Sequence, residues 1–315
     1  MNKKAVIFGI RSLKLSRSEI ELFKKVKPWG IILFSRNIKN IQQVKKLTNS
    51  IKNIFKSEKY PILIDQEGGK VSRINKIIDL SYFSQRHFGK LYSKNRKAFF
   101  IHYLVYINAV SNLLNEIGIN INTVPVLDIE RENAHNIIGS RSFSKNVNEV
   151  VKIGKFCIKN FEKNKIATVT KHIPGHGLSK CDSHYDTPTI STNKNKLIKN
   201  DFKPFKFCKS YFTMTGHIIY SSYDKINTCT HSKTLINDVI RKQINFKGIL
   251  ISDDISMKSL KFSLEQNAVK AFDAGCNLIL HCNANIKEMH KLSKVIPYID
   301  KFTEKKTSQF FKFLG

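Results

Sequence analysis

Cysteine is scarce in this sequence, and its spacing is typical of neither disulfide frameworks nor metal sites. No CxxC pair occurs among the six cysteines, which are Cys157, Cys181, Cys208, Cys229, Cys276 and Cys282. Six cysteines in 315 residues exclude a small domain held together by disulfides. No metal-binding motif such as HExxH appears either, so we expect no bound metal and no cofactor.

Long hydrophobic runs are also missing. No stretch approaches the roughly 20 apolar residues that a membrane-spanning helix needs. The amino terminus, Met1-Asn2-Lys3-Lys4, leads into an apolar run that Arg11 soon interrupts. This pattern is a poor signal peptide and fits a first strand better. We therefore expect a monomeric protein of the cytoplasm without membrane insertion, and 41% hydrophobic residues exclude general disorder.

Acidic residues are few. The sequence has 24 of them and 54 basic residues, which gives a net charge of +30. Such a charge raises the possibility of a nucleic-acid-binding protein, which stays open as an alternative of another class. Only nine of the basic residues are arginine, the residue favoured for bidentate phosphate and base recognition. The lysines are spread along the chain and mixed with many Asn and Ile residues, which is typical of AT-rich coding bias. A field this positive is still expected to attract anions, including acidic substrates and phosphate.

Eight short runs rich in Val, Ile, Leu and Phe recur along the chain. They are Ala5–Ile10, Trp29–Ser35, Pro61–Asp65, Thr123–Ile129, Ala167–His172, Phe212–Tyr220, Gly248–Asp253 and Cys276–Cys282. Such continuous runs are typical of strands buried on both faces. Amphipathic stretches separate them, including one over Val147–Phe156 for which Ser144 is the expected N-cap. The pattern predicts an α/β fold, a single (β/α)8 TIM-type barrel over residues 1–315. The alternative, an open doubly wound sheet, lacks its GxGxxG signature.

Charged and histidine side chains gather at the carboxyl ends of the predicted strands, where barrel active sites form. They include Asp65, Glu67, Asp128, Lys171, His172, His217, Asp253, Asp254 and His281. Residues of these types avoid core strands unless they are paired. An extended loop follows strand five, at about residues 173–190, and its Asp182 stands two residues from His184. That spacing allows a carboxylate to orient an imidazole for acid/base catalysis, although a polar loop held by turns has the same composition.

Seven ordered segments make the sequence recognisable. They are IDQEGGKVSRI at 64–74, PVLDI at 125–129, IGSRSFS at 138–144, KHIPGHG at 171–177 with DSHYDTP at 182–188, MTGHIIY at 214–220, GILISDDISM at 248–257 and AGCNLILHCN at 274–283. Together they resemble the family 3 glycoside hydrolases, specifically the single-domain bacterial β-N-acetylglucosaminidase branch. The combination of KHIPGHG with DSHYDTP is the most specific part of the resemblance.

The resemblance implies a role for each of eight residues. Asp253 would be the nucleophile, His184 the general acid/base, and Asp182 the residue that orients His184. The terminal N-acetylglucosamine would be bound by Asp65, Arg73, Arg141, Lys171 and His172. The alternatives for these positions are structural. Asp253 or Asp254 could cap a helix starting near Met257, and Lys171-His172 could take part in a buried ion pair at a strand end.

The implied activity is retaining exo-hydrolysis of terminal β-linked N-acetylglucosamine by double displacement. The implied substrate is N-acetylglucosamine-anhydro-N-acetylmuramic acid, with or without peptide, from cell-wall recycling. A phosphorylase using the same site is the nearest alternative, because a histidine acid/base does not repel phosphate. One departure from the family pattern lies at Ser140, where the family often has aspartate, and it would loosen the positioning of Arg141.

Overall fold

The computed structural model describes residues 2–132, 138–183 and 185–315. The strands are β1 (Lys4–Gly9), β2 (Pro28–Leu33), β3 (Ile62–Ile64), β4 (Ile121–Asn122), β5 (Ala167–Ile173), β6 (Thr189–Ile190), β7 (Phe212–Thr215), β8 (Ile219–Tyr220), β9 (Ile249–Asp254) and β10 (Leu278–His281). Eight of them close into a barrel in the order β1-β10-β9-β7-β5-β4-β3-β2, and every pair is parallel. The predicted (β/α)8 barrel is confirmed.

Two strand predictions were wrong in their bounds. The fourth strand is Ile121–Asn122, ahead of the predicted run Thr123–Ile129. Pro125 cannot donate to a ladder, and between Thr123 and Ile129 the only bridge described is Val126 with Lys171. The predicted run Phe212–Tyr220 divides after Thr215, and its end, β8, pairs with β6 in a separate two-stranded sheet.

The helices are α1 (Arg17–Val26), α2 (Ile41–Phe55), α3 (Gln85–Lys94), α4 (Arg96–Glu116), α5 (Val147–Lys163), α6 (Lys194–Lys199), α7 (Lys203–Phe207), α8 (Leu264–Ala274), α9 (Ile286–Val295) and α10 (Lys301–Leu314), with a π-helical segment over Leu235–Gln243. The N-cap of α5 is Asn146 rather than the expected Ser144. The Asn146 side chain accepts from the amides of Asn148 and Glu149 at 2.9 and 3.3 Å, whereas the Ser144 hydroxyl donates to Glu149.

The last helix, α10, lies across the amino-terminal end of the barrel. Its Phe310 ring lies 6.5 Å from the ring of Trp29 and 5.4 Å from that of Phe212, and these two residues stand at the starts of β2 and β7. The Trp29 indole also donates to Thr307 at 2.8 Å. This end of the barrel is therefore filled by packed side chains. Among the described residues, no helix has the length and apolar character needed to cross a membrane.

Candidate active site

A cavity of about 480 Å³ opens at the carboxyl end of the barrel. It collects residues that follow six different strands, as expected of a barrel active site. Its polar lining consists of Asp65, Lys70, Arg73, Thr123, Arg141, Lys171, His172, His176, Ser183, Asp253 and Asp254. Six of the eight predicted site residues are thus brought to one cavity.

Asp65 contacts three other polar side chains of this cavity. Its carboxylate accepts from Arg73 Nη2 at 2.8 Å, from Thr123 Oγ1 at 2.6 Å, and from the ammonium of Lys171. Burial alone would raise the pKa of Asp65, but the charges of Lys171, Arg73 and Arg141 outweigh burial and hold the pKa well below its usual range. Asp65 is therefore ionised near neutral pH and can accept hydrogen bonds from hydroxyl groups.

Glu67 joins two of the three basic residues that were predicted to bind substrate, Arg141 and Lys171. Its carboxylate accepts two hydrogen bonds from Arg141, at 2.8 and 2.7 Å, and lies 2.6 Å from Lys171 Nζ. The Glu67 side chain is only 1% exposed, so the pairs are shielded from water. Arg141 is thus fixed by the bidentate contact with Glu67. Ser140 was expected to loosen the positioning of Arg141, but the two hydrogen bonds to Glu67 hold Arg141 in place.

The imidazole of His172 is held in one orientation by Asp128. Asp128 Oδ2 lies 2.7 Å from His172 Nδ1, and Oδ1 accepts from the backbone amide of His176 at 2.6 Å. His172 Nε2 lies 3.4 Å from Arg141 Nη2. The contact of Nδ1 with Asp128 fixes the plane of the ring and directs Nε2 toward Arg141. Asp128 is fully buried and acts on the cavity through His172.

Asp253 and Asp254 end strand β9 and have different surroundings. The Asp254 carboxylate accepts from the amide and the hydroxyl of Ser256, at 3.0 and 2.8 Å, so it holds the turn that follows the strand. His217 braces the same strand end, since its Nε2 lies 3.0 Å from the Asp254 carbonyl and its Nδ1 lies 2.7 Å from Thr230 Oγ1. Asp253 is half-buried and lines the cavity.

The capping alternative for Asp253 was wrong, because the next helix, α8, begins at Leu264 and is capped by Ser263. Met257 lies in a turn instead. Asp253 therefore does not cap a helix, and its Oδ1 accepts from the backbone amide of Asp254 at 2.8 Å.

The loop after β5 is shaped by two glycines. Gly175 has φ +142°, a backbone conformation that side chains disfavour, and a Cβ on Gly177 would lie 2.0 Å from the carbonyl oxygen of Ile129. These constraints bring His176 and Ser183 to the cavity, where His176 Nε2 lies 3.1 Å from Ser183 Oγ. Burial, and then the charge of His172, lower the pKa of His176 to about 4. His176 is therefore a neutral anchor for the loop.

The predicted acid/base pair, Asp182 and His184, flanks Ser183 in the sequence. The backbone carbonyl of Asp182 accepts from the amides of Tyr185 and Asp186, each at 3.0 Å. His184 lies outside the described residues, so its pairing with Asp182 stays a prediction. Within the described ranges, no cluster of three or more His, Cys, Asp or Glu side chains could hold a metal ion.

Sequence reasoning missed Thr123 and Ser183 as parts of the site. Thr123 had been placed inside a predicted strand, whereas β4 ends one residue earlier and frees its hydroxyl to reach Asp65 and Lys171. Ser183 sits inside the quoted segment DSHYDTP, but nothing in the spacing indicates its contact with His176.

Comparison with known proteins gives a consistent result. Residues 3–308 match the glycosyl hydrolase family 3 N-terminal domain. The chain is 31% identical over 287 residues to a beta-hexosaminidase of Haemophilus influenzae, covering 89% of this chain and 79% of that protein. It is 30% identical over 313 residues to a beta-hexosaminidase of Psychromonas ingrahamii, covering 97% and 88%. Among solved structures it is similar to NagZ from Neisseria gonorrhoeae in complex with N-trifluoroacetyl-D-glucosamine, with a TM-score of 0.89, 26% identity, and 100% and 90% coverage.

Proposed function

The chain belongs to glycosyl hydrolase family 3, and from this membership we propose that it is a retaining exo-β-N-acetylglucosaminidase with Asp253 as nucleophile. That it is a glycoside hydrolase acting on N-acetylglucosamine follows from its family and its beta-hexosaminidase relatives. The observation that carries the finer proposal is the cavity shared by Asp253 with Asp65, Arg73 and Lys171. It joins a carboxylate at a rigid strand end to a fixed set of sugar-binding groups.

The binding groups suit a neutral sugar rich in hydroxyl groups. The carboxylates of Asp65 and Glu67 face the cations of Arg73, Arg141 and Lys171, and the formal charge of this cluster is +1. Asp65 accepts hydrogen bonds from sugar hydroxyls while Arg73 and Lys171 donate to sugar oxygens. Because these groups also bind one another, they are already oriented before the sugar arrives.

The proposed reaction proceeds in two displacements. The Asp253 carboxylate attacks the anomeric carbon, the bond to the leaving oxygen breaks, and His184 gives that oxygen a proton. Water then attacks the resulting ester from the opposite side, with His184 taking its proton, and Asp253 is released as a carboxylate. Two inversions give net retention, so proton NMR of the first product is expected to show β-N-acetylglucosamine. A first product in the α configuration would contradict the double displacement.

We further propose that the substrates are muropeptide fragments in the cytoplasm, namely N-acetylglucosamine-anhydro-N-acetylmuramic acid with or without its peptide, hydrolysed by a monomer. The support is the acidic peptide of such fragments together with the net charge of +30, because a strong positive field speeds association with anions. We expect kcat/KM for the peptide-bearing substrate to fall several-fold as salt rises, while an uncharged aryl glycoside is unaffected. Equal salt dependence for the two substrates would exclude electrostatic steering.

Phosphorolysis by the same site predicts a different product. A positive field also attracts inorganic phosphate, and a histidine acid/base would leave room for it as the second nucleophile. For the proposed hydrolase we expect free N-acetylglucosamine as the product, with a rate independent of phosphate. Sugar 1-phosphate formed in proportion to added phosphate, measured by phosphorus NMR, would reassign the chain to the phosphorylases.

The contact between His176 and Ser183 is expected to support catalysis by positioning the loop. Replacement His176→Asn and replacement Ser183→Ala each remove it, and each is expected to lower kcat about tenfold or more with little change in KM, since displaced catalytic groups cost rate. The double variant is expected to be no worse than the more impaired single variant. Losses that multiply in the double variant would show that the two residues act independently.

A further inference from the structure

Helix α4 is apolar on both its buried and its solvent-facing sides. Its buried side consists of Phe99, Tyr103, Ile107, Val110 and Leu114. Its outer side nevertheless exposes Phe100, Ile101, Leu104 and Val105, with Val105 63% exposed. The outer side of α2, in contrast, carries only Gln, Lys, Asn and Ser at its exposed positions. A surface helix normally has a polar outer face, so an apolar one indicates an interaction surface.

The loop before α3 extends this surface. Tyr82 is 71% exposed and Phe83 is also exposed, and the Phe83 ring lies 5.9 Å from the ring of Tyr106 on α4. We call the six exposed side chains the α4 apolar face; they are Tyr82, Phe83, Phe100, Ile101, Leu104 and Val105. Ile101, Leu104 and Val105 are spaced as neighbours on one side of a helix.

Basic residues predominate around the α4 apolar face, although the exposed Asp79 lies three residues before Tyr82. Residues 80–115 contain no aspartate or glutamate, and their charged residues are Arg86, Lys90, Lys94, Arg96 and Lys97. All of these except Arg86 are exposed. Two acidic side chains from elsewhere reach α3, but Glu130 is bonded to Arg86 and Glu149 to Ser93. The surroundings of the face therefore favour a negatively charged partner.

We propose that the α4 apolar face is a peripheral binding surface for anionic lipid bilayers. Exposed apolar and aromatic side chains beside lysine and arginine supply the two attractions that hold a protein at an anionic bilayer, burial of apolar area and electrostatic attraction. The apolar side chains enter the boundary between head groups and acyl chains, while Lys90, Lys94 and Lys97 meet the acidic head groups. A second copy of this chain fits less well, because both copies carry the same basic rim and a charge of +30.

Vesicle binding by the full chain tests this proposal. We expect co-sedimentation with vesicles of equal parts phosphatidylcholine and phosphatidylglycerol at about 0.15 M salt, and much weaker binding to phosphatidylcholine alone. The double variant Ile101→Gln/Val105→Gln is expected to bind about tenfold more weakly. Lys94→Gln/Lys97→Gln is expected to lose about tenfold or more.

Matched variants elsewhere on the surface serve as controls. Ile226→Gln/Val269→Gln removes two other exposed apolar side chains, and Lys301→Gln/Lys305→Gln removes two other exposed lysines; both are expected to bind like the unaltered protein. All variants are expected to hydrolyse a water-soluble aryl glycoside normally, which separates this proposal from the proposed function. The proposal is overturned if the unaltered protein does not bind acidic vesicles or if Ile101→Gln/Val105→Gln binds them equally well. A lipid-free dimer that Ile101→Gln/Val105→Gln dissociates, measured by sedimentation velocity, would assign the face to self-association instead.

Discussion

Replacement of Asp253 by alanine is expected to lower kcat/KM for an aryl N-acetyl-β-glucosaminide by about 10⁴-fold or more, since it removes the group that forms the covalent intermediate. Asp253 ends β9 and lines the cavity beside the sugar-binding cluster. The space left by the carboxylate can admit a small anion. Added azide is therefore expected to restore turnover and to yield the α-glycosyl azide, because azide attacks from the side that Asp253 occupied.

Asp254 provides the matched control for this experiment. It is the adjacent residue, it has the same side chain, and it also lines the cavity. Its carboxylate is bonded to Ser256 and to the amide of Cys282, at 3.4 Å for the latter, so its loss disturbs a turn rather than removing a nucleophile. We expect a far smaller loss for Asp254→Ala and no rescue by azide. Equal losses, with rescue in neither variant, would contradict the assignment of Asp253.

Replacement of Glu67 by glutamine is expected to lower the free energy of unfolding by about 3 kcal/mol at neutral pH, because it leaves two buried cations without their shared carboxylate. Burial alone would raise the pKa of Glu67, but the charges of Arg141 and Lys171 outweigh burial and lower it. The stabilisation is thus fully present above the ordinary glutamate pKa of 4.5. It is lost as the pH falls through the lower pKa of the folded state.

Urea unfolding of the two proteins at several pH values measures this effect. The difference between the unaltered protein and Glu67→Gln is expected to be largest near pH 7 and to shrink in acid. The control is Glu21→Gln, which breaks an exposed pair with Arg17 of 3.0 Å and is expected to cost less than about 0.5 kcal/mol. A Glu67→Gln protein as stable as the unaltered one would show that the Glu67 charge does not stabilise the fold.

The same substitution is expected to impair binding, because Glu67 holds Arg141 and Lys171 in place. KM for the aryl glycoside is expected to rise about tenfold or more, because a residue that holds the binding side chains in place contributes to affinity without touching the ligand. Glu67 is a positioning residue, so added azide is expected to restore nothing. An unchanged KM would place Arg141 and Lys171 outside the sugar-binding groups.

Strand ends were the part of this site that the sequence could predict. In a parallel barrel every carboxyl end meets at one rim, so Asp65, Lys171 and Asp253 could be assigned to one site from their positions alone. The contact between Glu67 and Arg141 joins residues 74 positions apart, and no local pattern encodes it. Thr123 was misplaced for a different reason. Its apolar neighbours resemble a strand, but Pro125 prevents continuous pairing there and β4 ends at Asn122.

The most direct test of the account is to trap the covalent intermediate. A 5-fluoro N-acetylglucosaminyl fluoride, which forms the glycosyl ester readily and loses it slowly, would be incubated with the active protein and the peptides analysed by mass spectrometry. We predict one added fluoro-N-acetylglucosaminyl group, on the peptide that contains Asp253, and protection by excess N-acetylglucosamine. A protein that turns over aryl glycoside but carries no such adduct, or carries it on another residue, would contradict Asp253 as the nucleophile.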